Sequence, residues 1–314
     1  MATTLFTSSV CLAHDNGPGH PESPDRLIAV LAELNRQPTY AALKRQTAPR
    51  ASLAEIARVH DATYISGIFS RIPDHGIVAL DGETSLSPAS GEAALHAAGA
   101  IIAAIDLVFN KDEAPKLQNA FCAIRPPGHH AAVPPSSGFC LFNNIAIGAA
   151  HAMAEHNVKR IAIVDFDVHH GNGTEAWAKQ YPDVLFISSH QFPLWPGSGR
   201  SEDKGLHGNI VNIPLAPGTG SMEFRLAMQN MAFSVIKEFK PELIMISAGF
   251  DAYHDDPLAN MQLVEDDYFW VTAELCKLAA HLCDGRVVST LEGGYNIAAL
   301  AKSAGAHVRA LMAA

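Results

Sequence analysis

Two carboxylates and two imidazoles fall within the six residues Asp165-Phe-Asp-Val-His-His170, which run on into Gly171-Asn172-Gly173. Where a strand end keeps its period of two, Asp165, Asp167 and His169 share one side while Phe166 and Val168 take the apolar one. One imidazole and one carboxylate this close, joined by a carboxylate from a neighbouring strand, make a nitrogen and oxygen donor set suited to Zn²⁺ with an open fourth position. Capping of the helix that follows is the plainer reading, but a cap requires one such residue, not four. Asp251, in Ser247-Ala-Gly-Phe-Asp251, follows an apolar run and is the best third ligand. Taken alone, an Asp in that place is usually a turn or N-cap residue. It becomes a ligand here because Asp167 and His169 need a partner.

His129 and His130 follow Pro126-Pro127-Gly128, a stiff segment whose glycine permits close approach. Adjacent side chains on extended backbone point different ways, so the pair suits proton transfer better than chelation of one metal. Glu292-Gly293-Gly294-Tyr295 places a phenol after two glycines, a backbone able to sit tightly beside a ligand, and a tyrosine hydroxyl can hydrogen-bond a developing oxyanion. The plain alternatives are surface histidines in a proline loop and a core tyrosine at a turn. No G-x-S-x-G, G-x-x-x-x-G-K-[ST], strand-linked G-x-G-x-x-G or H-E-x-x-H occurs. Serine nucleophiles, nucleotide phosphates and dinucleotides lose their usual handles.

The elements that must position these groups are five short, continuously apolar runs at 120–124, 160–164, 184–188, 243–247 and 287–291. Such runs suit strands covered on both faces. Between them lie helical patterns over 144–156, 222–239 and 266–283, the βαβ signature of a mainly parallel sheet with helices on both faces. Every chemical motif follows one of these strands, and in an open parallel sheet those ends share one edge, where ligands bind. Ser23-Pro24 and Ser87-Pro88 are expected to open helices as N-cap and first helical residue, and Ser52 with Glu55 forms a capping box. No linker, composition shift or repeat divides residues 1–314, so a single domain is expected.

The 314 residues are 48% hydrophobic and 17% charged, enough to bury a large core. Net charge is −10 without a dense basic run, which argues against direct nucleic-acid binding. Cys11, Cys122, Cys140, Cys276 and Cys283 lack a C-x-x-C pair and read as reduced core thiols. No Lys or Arg precedes Arg26, so a secretory signal is not expected and a cytoplasmic location is. The apolar stretch 97–109, cut by Asp106, falls short of the roughly 20 residues of a membrane span and reads as a buried helix.

The motifs RPPGHH, GFCLFNN, VDFDVHHGNGT, SAGFDAYHDDPL and LEGGYN, in this order, resemble the zinc-dependent histone deacetylase superfamily. That group includes bacterial histone deacetylase-like amidohydrolases and acetylpolyamine amidohydrolases. The resemblance runs from His20 to Asn296 and implies the arginase/deacetylase α/β fold. It makes Asp167, His169 and Asp251 the ligands of one zinc ion, His130 the general base and acid, His129 its electrostatic companion, and Tyr295 the oxyanion donor. Asp165 would orient His129 and Asn172 would face His130; the asparagine resembles the second deacetylase class, since the first has aspartate there. Gly138, Phe139 and Trp195 would wall an acyl-lysine tunnel, with Gly293 and Gly294 beside the substrate. Glu83, with Asp81, lies in the loop where relatives hold the substrate backbone. Ser188, with the backbone of Asp165, Asp167, His169 and Ser189, resembles a structural site for a monovalent cation, usually K⁺.

The implied substrate is an acyl-lysine peptide or protein, or an acylated small amine. Polyamine-selective relatives carry an acidic gatekeeper just after the third zinc ligand; here Leu258 stands there, which favours acyl-lysine, although Asp255 and Asp256 are close by. An idle acyl-lysine-binding scaffold would be expected to lack the tyrosine or a ligand. A binuclear manganese enzyme on the shared fold would not need His129, His130 and Tyr295.

Overall fold

The computed structural model describes residues 2–36, 38–110, 118–132 and 138–314. Its strands are β1 (Ala2–Thr7), β2 (Lys44–Thr47), β3 (Val78–Ala79), β4 (Ser85–Leu86), β5 (Gln118–Cys122), β6 (Ile161–Asp165), β7 (Val184–Gln191), β8 (Ile210–Leu215), β9 (Leu243–Ala248) and β10 (Val287–Leu291). Its helices are α1 (Pro24–Leu34), α2 (Leu53–Ile56), α3 (Ala62–Ser70), α4 (Ser90–Phe109), α5 (Asn144–Glu155), α6 (Asn172–Ala178), α7 (Ser221–Ala227), α8 (Ser234–Phe239), α9 (Glu265–Leu282) and α10 (Ile297–Ala313). Eight strands form one parallel sheet in the order β2-β1-β5-β10-β9-β6-β7-β8, and β3 pairs with β4 in an antiparallel ribbon.

Register shows that both faces are covered. Ser289 of β10 pairs with Phe121 of β5, and Ser289 Oγ meets His307 of α10 at 2.8 Å. Its neighbour Val288 therefore faces the other way, in register with Met245 of β9. Met245 lies against Gly148 of α5, where Ile101 of α4 also arrives. One helical layer thus contains α10 with α1 and α9 packed on it, and the other contains α4 and α5. Every residue of β6, β7, β9 and β10 is buried, which is why these runs carry no alternation.

The five strands expected from sequence are the five adjacent strands β5-β10-β9-β6-β7, so their loops open side by side. Three sheet strands were not expected. β1 reads Ala-Thr-Thr-Leu-Phe-Thr, β2 is a fully exposed Lys-Arg-Gln-Thr edge, and β8 contains Pro214, tolerated at the opposite edge.

Two helix expectations need correction. The 222–239 pattern is one helical path broken into α7, a π turn over Met228–Phe233, and α8. α4 starts after Ala89 rather than at Pro88, because Ser87 closes a turn onto Ser90 and spends its hydroxyl on the Asp15 N–H and Ser90 Oγ. α4 is long and apolar enough to span a bilayer by composition, yet two-thirds of that stretch is buried inside the fold. The capping box of Ser52 and Glu55 is present, and all five cysteines are buried and unbridged.

Candidate active site

Asp165 ends β6, and the chain then turns on its own carboxylates. The Asp167 N–H donates to Asp165 Oδ1 at 3.1 Å and the His169 N–H to Asp167 Oδ1 at 2.9 Å. This puts Phe166 and Val168 into the core and leaves Asp165, Asp167 and His169 facing the sheet edge. Asp251, from the loop after the adjacent strand β9, accepts the Val168 N–H at 2.8 Å. His169 Nδ1 then lies 3.2 Å from Asp167 Oδ1 and 3.1 Å from Asp251 Oδ2. All three residues are buried, with one donor atom from each lying within 4.8 Å of the others.

Two buried carboxylates this close demand a cation. Burial lifts Asp251, and the Asp167 charge lifts it further, to about 7. Burial opposes a charged His169, but its hydrogen bonds to the Asp167 and Asp251 carboxylates and their charge outweigh it and raise that imidazole to about 10. A proton or a metal ion can satisfy the cluster, and one imidazole with two carboxylates suits a borderline divalent ion such as Zn²⁺. Gly293 completes the cradle: its N–H donates to Asp167 Oδ2 at 2.8 Å, and a Cβ there would stand 2.1 Å from Asp251 Oδ2.

His129 and His130 arrive from the loop after β5. That loop is held by Glu292, whose Oε2 accepts the Gly128 N–H at 2.7 Å and the His129 N–H at 3.2 Å. His129 Nδ1 donates to Asp165 Oδ2 at 2.9 Å; His130 Nδ1 donates to Asn172 Oδ1 at 2.8 Å. Burial disfavours charge on both. For His129 the Asp165 and Asp167 carboxylates outweigh burial and raise it to about 10. For His130 burial is joined by repulsion from His129 and His169, and it is held well below the ordinary imidazole range. His129 is thus drawn toward its cationic form and His130 toward its neutral one, with Nε2 of His130 turned away from the Asn172 bond.

Over this floor opens a cleft of about 370 Å³, with His130 and His169 at its base and Gly138, Phe139, Trp195, Leu258 and Tyr295 on its walls. Gly138 must be glycine: its φ is +60°, and a Cβ would lie 2.4 Å from His130 and 2.6 Å from Trp195. Tyr295 packs edge-on against Phe139, with the Arg26 guanidinium 4.9 Å from its ring centre. Glu83 stands at the mouth, whereas Asp81 spends Oδ1 on the Glu83 and Thr84 N–H groups.

Gly293 and Gly294 do not line the cleft. Gly293 backs the ligand cluster, and Gly294 presents its carbonyl to Arg26 at 2.7 Å. Asp256 is buried with its carboxylate turned to backbone N–H groups, and Asp255, exposed, pairs with His254. Ser188 Oγ meets His190 Nδ1 at 2.9 Å, while His190 Nε2 must donate to the Gly199 carbonyl. Burial holds His190 near 4, so at neutral pH its Nδ1 accepts, Ser188 donates, and the serine oxygen keeps lone pairs for a cation.

Sequence reasoning missed several supports. His20 lines the mouth and packs on Phe139, and Thr84 Oγ1 takes the Phe139 N–H at 3.1 Å. Neither belongs to a patterned run; the family resemblance begins at His20 but assigned it no role. A second donor cluster, Asp106 with His151 and His156, sits between α4 and α5. Arg58 donates to His151 Nδ1 at 2.9 Å, so His151 Nε2 carries the hydrogen that reaches Asp106 at 2.8 Å. That is a hydrogen-bonded relay, not a set of free ligands.

A histone deacetylase domain profile matches residues 20–311. The chain is 38% identical to the histone deacetylase-like amidohydrolase of Pseudomonas aeruginosa, over 94% of this chain and 82% of that protein. It is 35% identical to the human polyamine deacetylase HDAC10, over 93% of this chain and 44% of that longer protein. The crystal structure of the HDA15 HD domain superposes with a TM-score of 0.92 at 32% identity, covering 99% of this chain and 88% of that one.

Proposed function

The chain belongs to the histone deacetylase family, and from that membership we propose that it is a zinc-dependent amidohydrolase removing acetyl or longer acyl groups from lysine side chains. The observation that carries this reading is the pairing of His129 with Asp165 and of His130 with Asn172 beside the buried Asp167, His169 and Asp251 cluster. Asp167 Oδ, His169 Nδ1 and Asp251 Oδ would hold one Zn²⁺, which when bound supplies Lewis-acid activation of water and of the amide carbonyl. K⁺ is proposed at Ser188 with the backbone oxygens of Asp165, Asp167, His169 and Ser189.

His130, neutral with Nδ1–H engaged by Asn172, takes the water proton at Nε2. The His129 cation, pinned by Asp165, favours the negative charge that develops on the carbonyl oxygen. The Tyr295 hydroxyl donates to that oxygen. The deprotonated water oxygen bonds to the amide carbon, and as the C–N bond breaks His130 returns its proton to the amine nitrogen, releasing carboxylate and free amine, since an amine anion could not leave at neutral pH. The aromatic faces of Phe139 and Trp195 grip the alkyl stem and exclude water.

Acyl-lysine is favoured over acylpolyamine because Leu258 reaches the cleft while Asp256 is buried against backbone and Asp255 is paired outside it. An apolar wall offers nothing to a remote ammonium group. The similarity to a polyamine deacetylase and the Glu83 carboxylate at the mouth support the second reading, deacylation of small amines. Zinc-reconstituted protein assayed on acetyl-lysine peptides and on N-acetylputrescine and N-acetylspermidine decides between them. The expected result is a higher kcat/KM on the peptides, with Leu258→Glu moving the ratio toward the polyamines. Wild-type preference for acetylspermidine would reverse the ranking.

A further inference from the structure

We propose that Asp256 is a positioning residue that locks Leu258, on the cleft wall, to Tyr295, the oxyanion donor. The inference rests on the deacetylase reading and adds to it a residue that touches no substrate. One Asp256 oxygen, Oδ1, accepts the Leu258 N–H at 3.0 Å; the other, Oδ2, accepts the Tyr295 N–H at 2.7 Å and the Asn296 N–H at 3.2 Å. Two residues lining the same cleft from different loops are thus held by opposite ends of one carboxylate.

The need for such a tie follows from the backbone. Tyr295 comes directly after Gly293-Gly294, and Gly294 has φ +119°, so the segment has little conformational stiffness of its own. Before the tyrosine it is anchored by Arg26, which binds the Glu292 and Gly294 carbonyls. After it, the anchors are Asp256 and the Asn296 side chain, which reaches the Asp255 carbonyl at 3.1 Å and caps α10 through the Ala299 N–H. Between Arg26 and Asn296, Asp256 alone among the described residues takes the Tyr295 N–H.

All three groups facing Asp256 are donors, and the residue is only 7% exposed. An ionised carboxylate accepts on both oxygens, whereas an asparagine must turn its NH₂ toward at least one backbone N–H. Asp256→Asn therefore keeps the volume and breaks the tie on one side. A buried unpaired donor is expelled from such contacts, and the loops separate.

Four proteins test this: wild type, Asp256→Asn, Tyr295→Phe and the double variant, each measured for zinc content, kcat and KM on an acetyl-lysine peptide. Amide hydrogen exchange at residues 295–296 is followed in parallel. Asp256→Asn should lower kcat by about 10- to 100-fold, the scale of a misplacement near 1 Å, with KM changed much less. Exchange at 295–296 should accelerate and zinc should stay bound. In the Tyr295→Phe background the same substitution should cost no further kcat beyond about twofold, because the group it positions is gone.

Full multiplication of the two losses, or unchanged exchange at Tyr295, would overturn the proposal. If Asp256→Asn does not fold, the wild-type protein still decides, since these loop amides must be protected when bonded to a buried carboxylate and rapid exchange would refute the tie. Wild-type protein inactive on every acylated amine would sink the deacetylase reading and the catalytic role with it, while the exchange result would still report the contact itself.

Discussion

His129 and His130 are consecutive residues with ring centroids 3.8 Å apart, yet one is bonded to a carboxylate and the other to a neutral amide. The Asp165 and Asp167 carboxylates draw His129 toward its cationic form, while burial and repulsion from His129 and His169 hold His130 neutral, with only a neutral amide on its Nδ1.

Asn172→Asp tests the assignment. A carboxylate beside His130 Nδ1 stabilises its protonated form and raises its pKa. The base must be neutral to act, so the acid limb of the kcat/KM profile should move to higher pH by about one unit or more. A profile with an unmoved acid limb would assign the base to another residue.

Two glycines should fail in different ways. Gly293→Ala places a methyl 2.1 Å from Asp251 Oδ2 and 2.5 Å from Asp167 Oδ2, so zinc content and activity should fall together. Gly138→Ala strikes His130 and Trp195 instead and strains a positive φ. It should lose activity with zinc retained. Elemental analysis of the two variants separates these outcomes, and full zinc occupancy in Gly293→Ala would refute the cradle.

The central fold was legible because strands buried on both faces must read as unbroken apolar runs, and each such run ended in the residues that now meet. β1, β2 and β8 escaped because edge or near-edge strands carry polar residues and, at Pro214, an imino acid. The convergence of Asp167, His169 and Asp251 was legible from types and spacing. Asp256 and Glu292 were not, because their role is to accept backbone N–H groups from loops distant in sequence, and such pairing leaves no local pattern. His190 was invisible as a support for Ser188 for the same reason.

Acid stability follows from four buried histidines. Burial, the first cause in each case, holds His14, His60 and His190 near 4 and His307 near 3. Their folded values lie below the unfolded value of about 6.5, so the unfolded chain binds more protons as pH falls. Stability is therefore complete above about pH 6.5 and is lost as pH falls toward 4. His129, raised to about 10, has its contribution complete below about pH 6.5 and does not change in this window, whereas Asp251 and Glu292, lifted by burial to about 7, take up protons in the folded state as pH falls and offset part of the loss. Because four lowered histidines outnumber the two raised carboxyls, Tm should decline from pH 6.5 to 4.5, with net proton uptake on unfolding near pH 5. His307, which bridges Thr272 and Ser289, is the clearest single case. A Tm independent of pH across this range would mean these imidazoles are solvated rather than buried neutral.

Tyr295 should separate from the ligand cluster when its hydroxyl alone is removed. Tyr295→Phe keeps the ring against Phe139 and over Arg26, and leaves the backbone bond to Asp256 untouched. Zinc content and Tm should therefore match wild type. The hydroxyl matters only when charge develops on the carbonyl oxygen, so KM should change little while kcat falls. Loss of one oxyanion donor typically costs about 10²- to 10³-fold, roughly 2.7 to 4 kcal/mol. A packing residue would show the reverse: lower Tm with near-normal turnover per folded molecule. Activity within a few-fold of wild type at full zinc occupancy would leave oxyanion stabilisation to the metal and His129, and Tyr295 would then be part of the cleft wall alone.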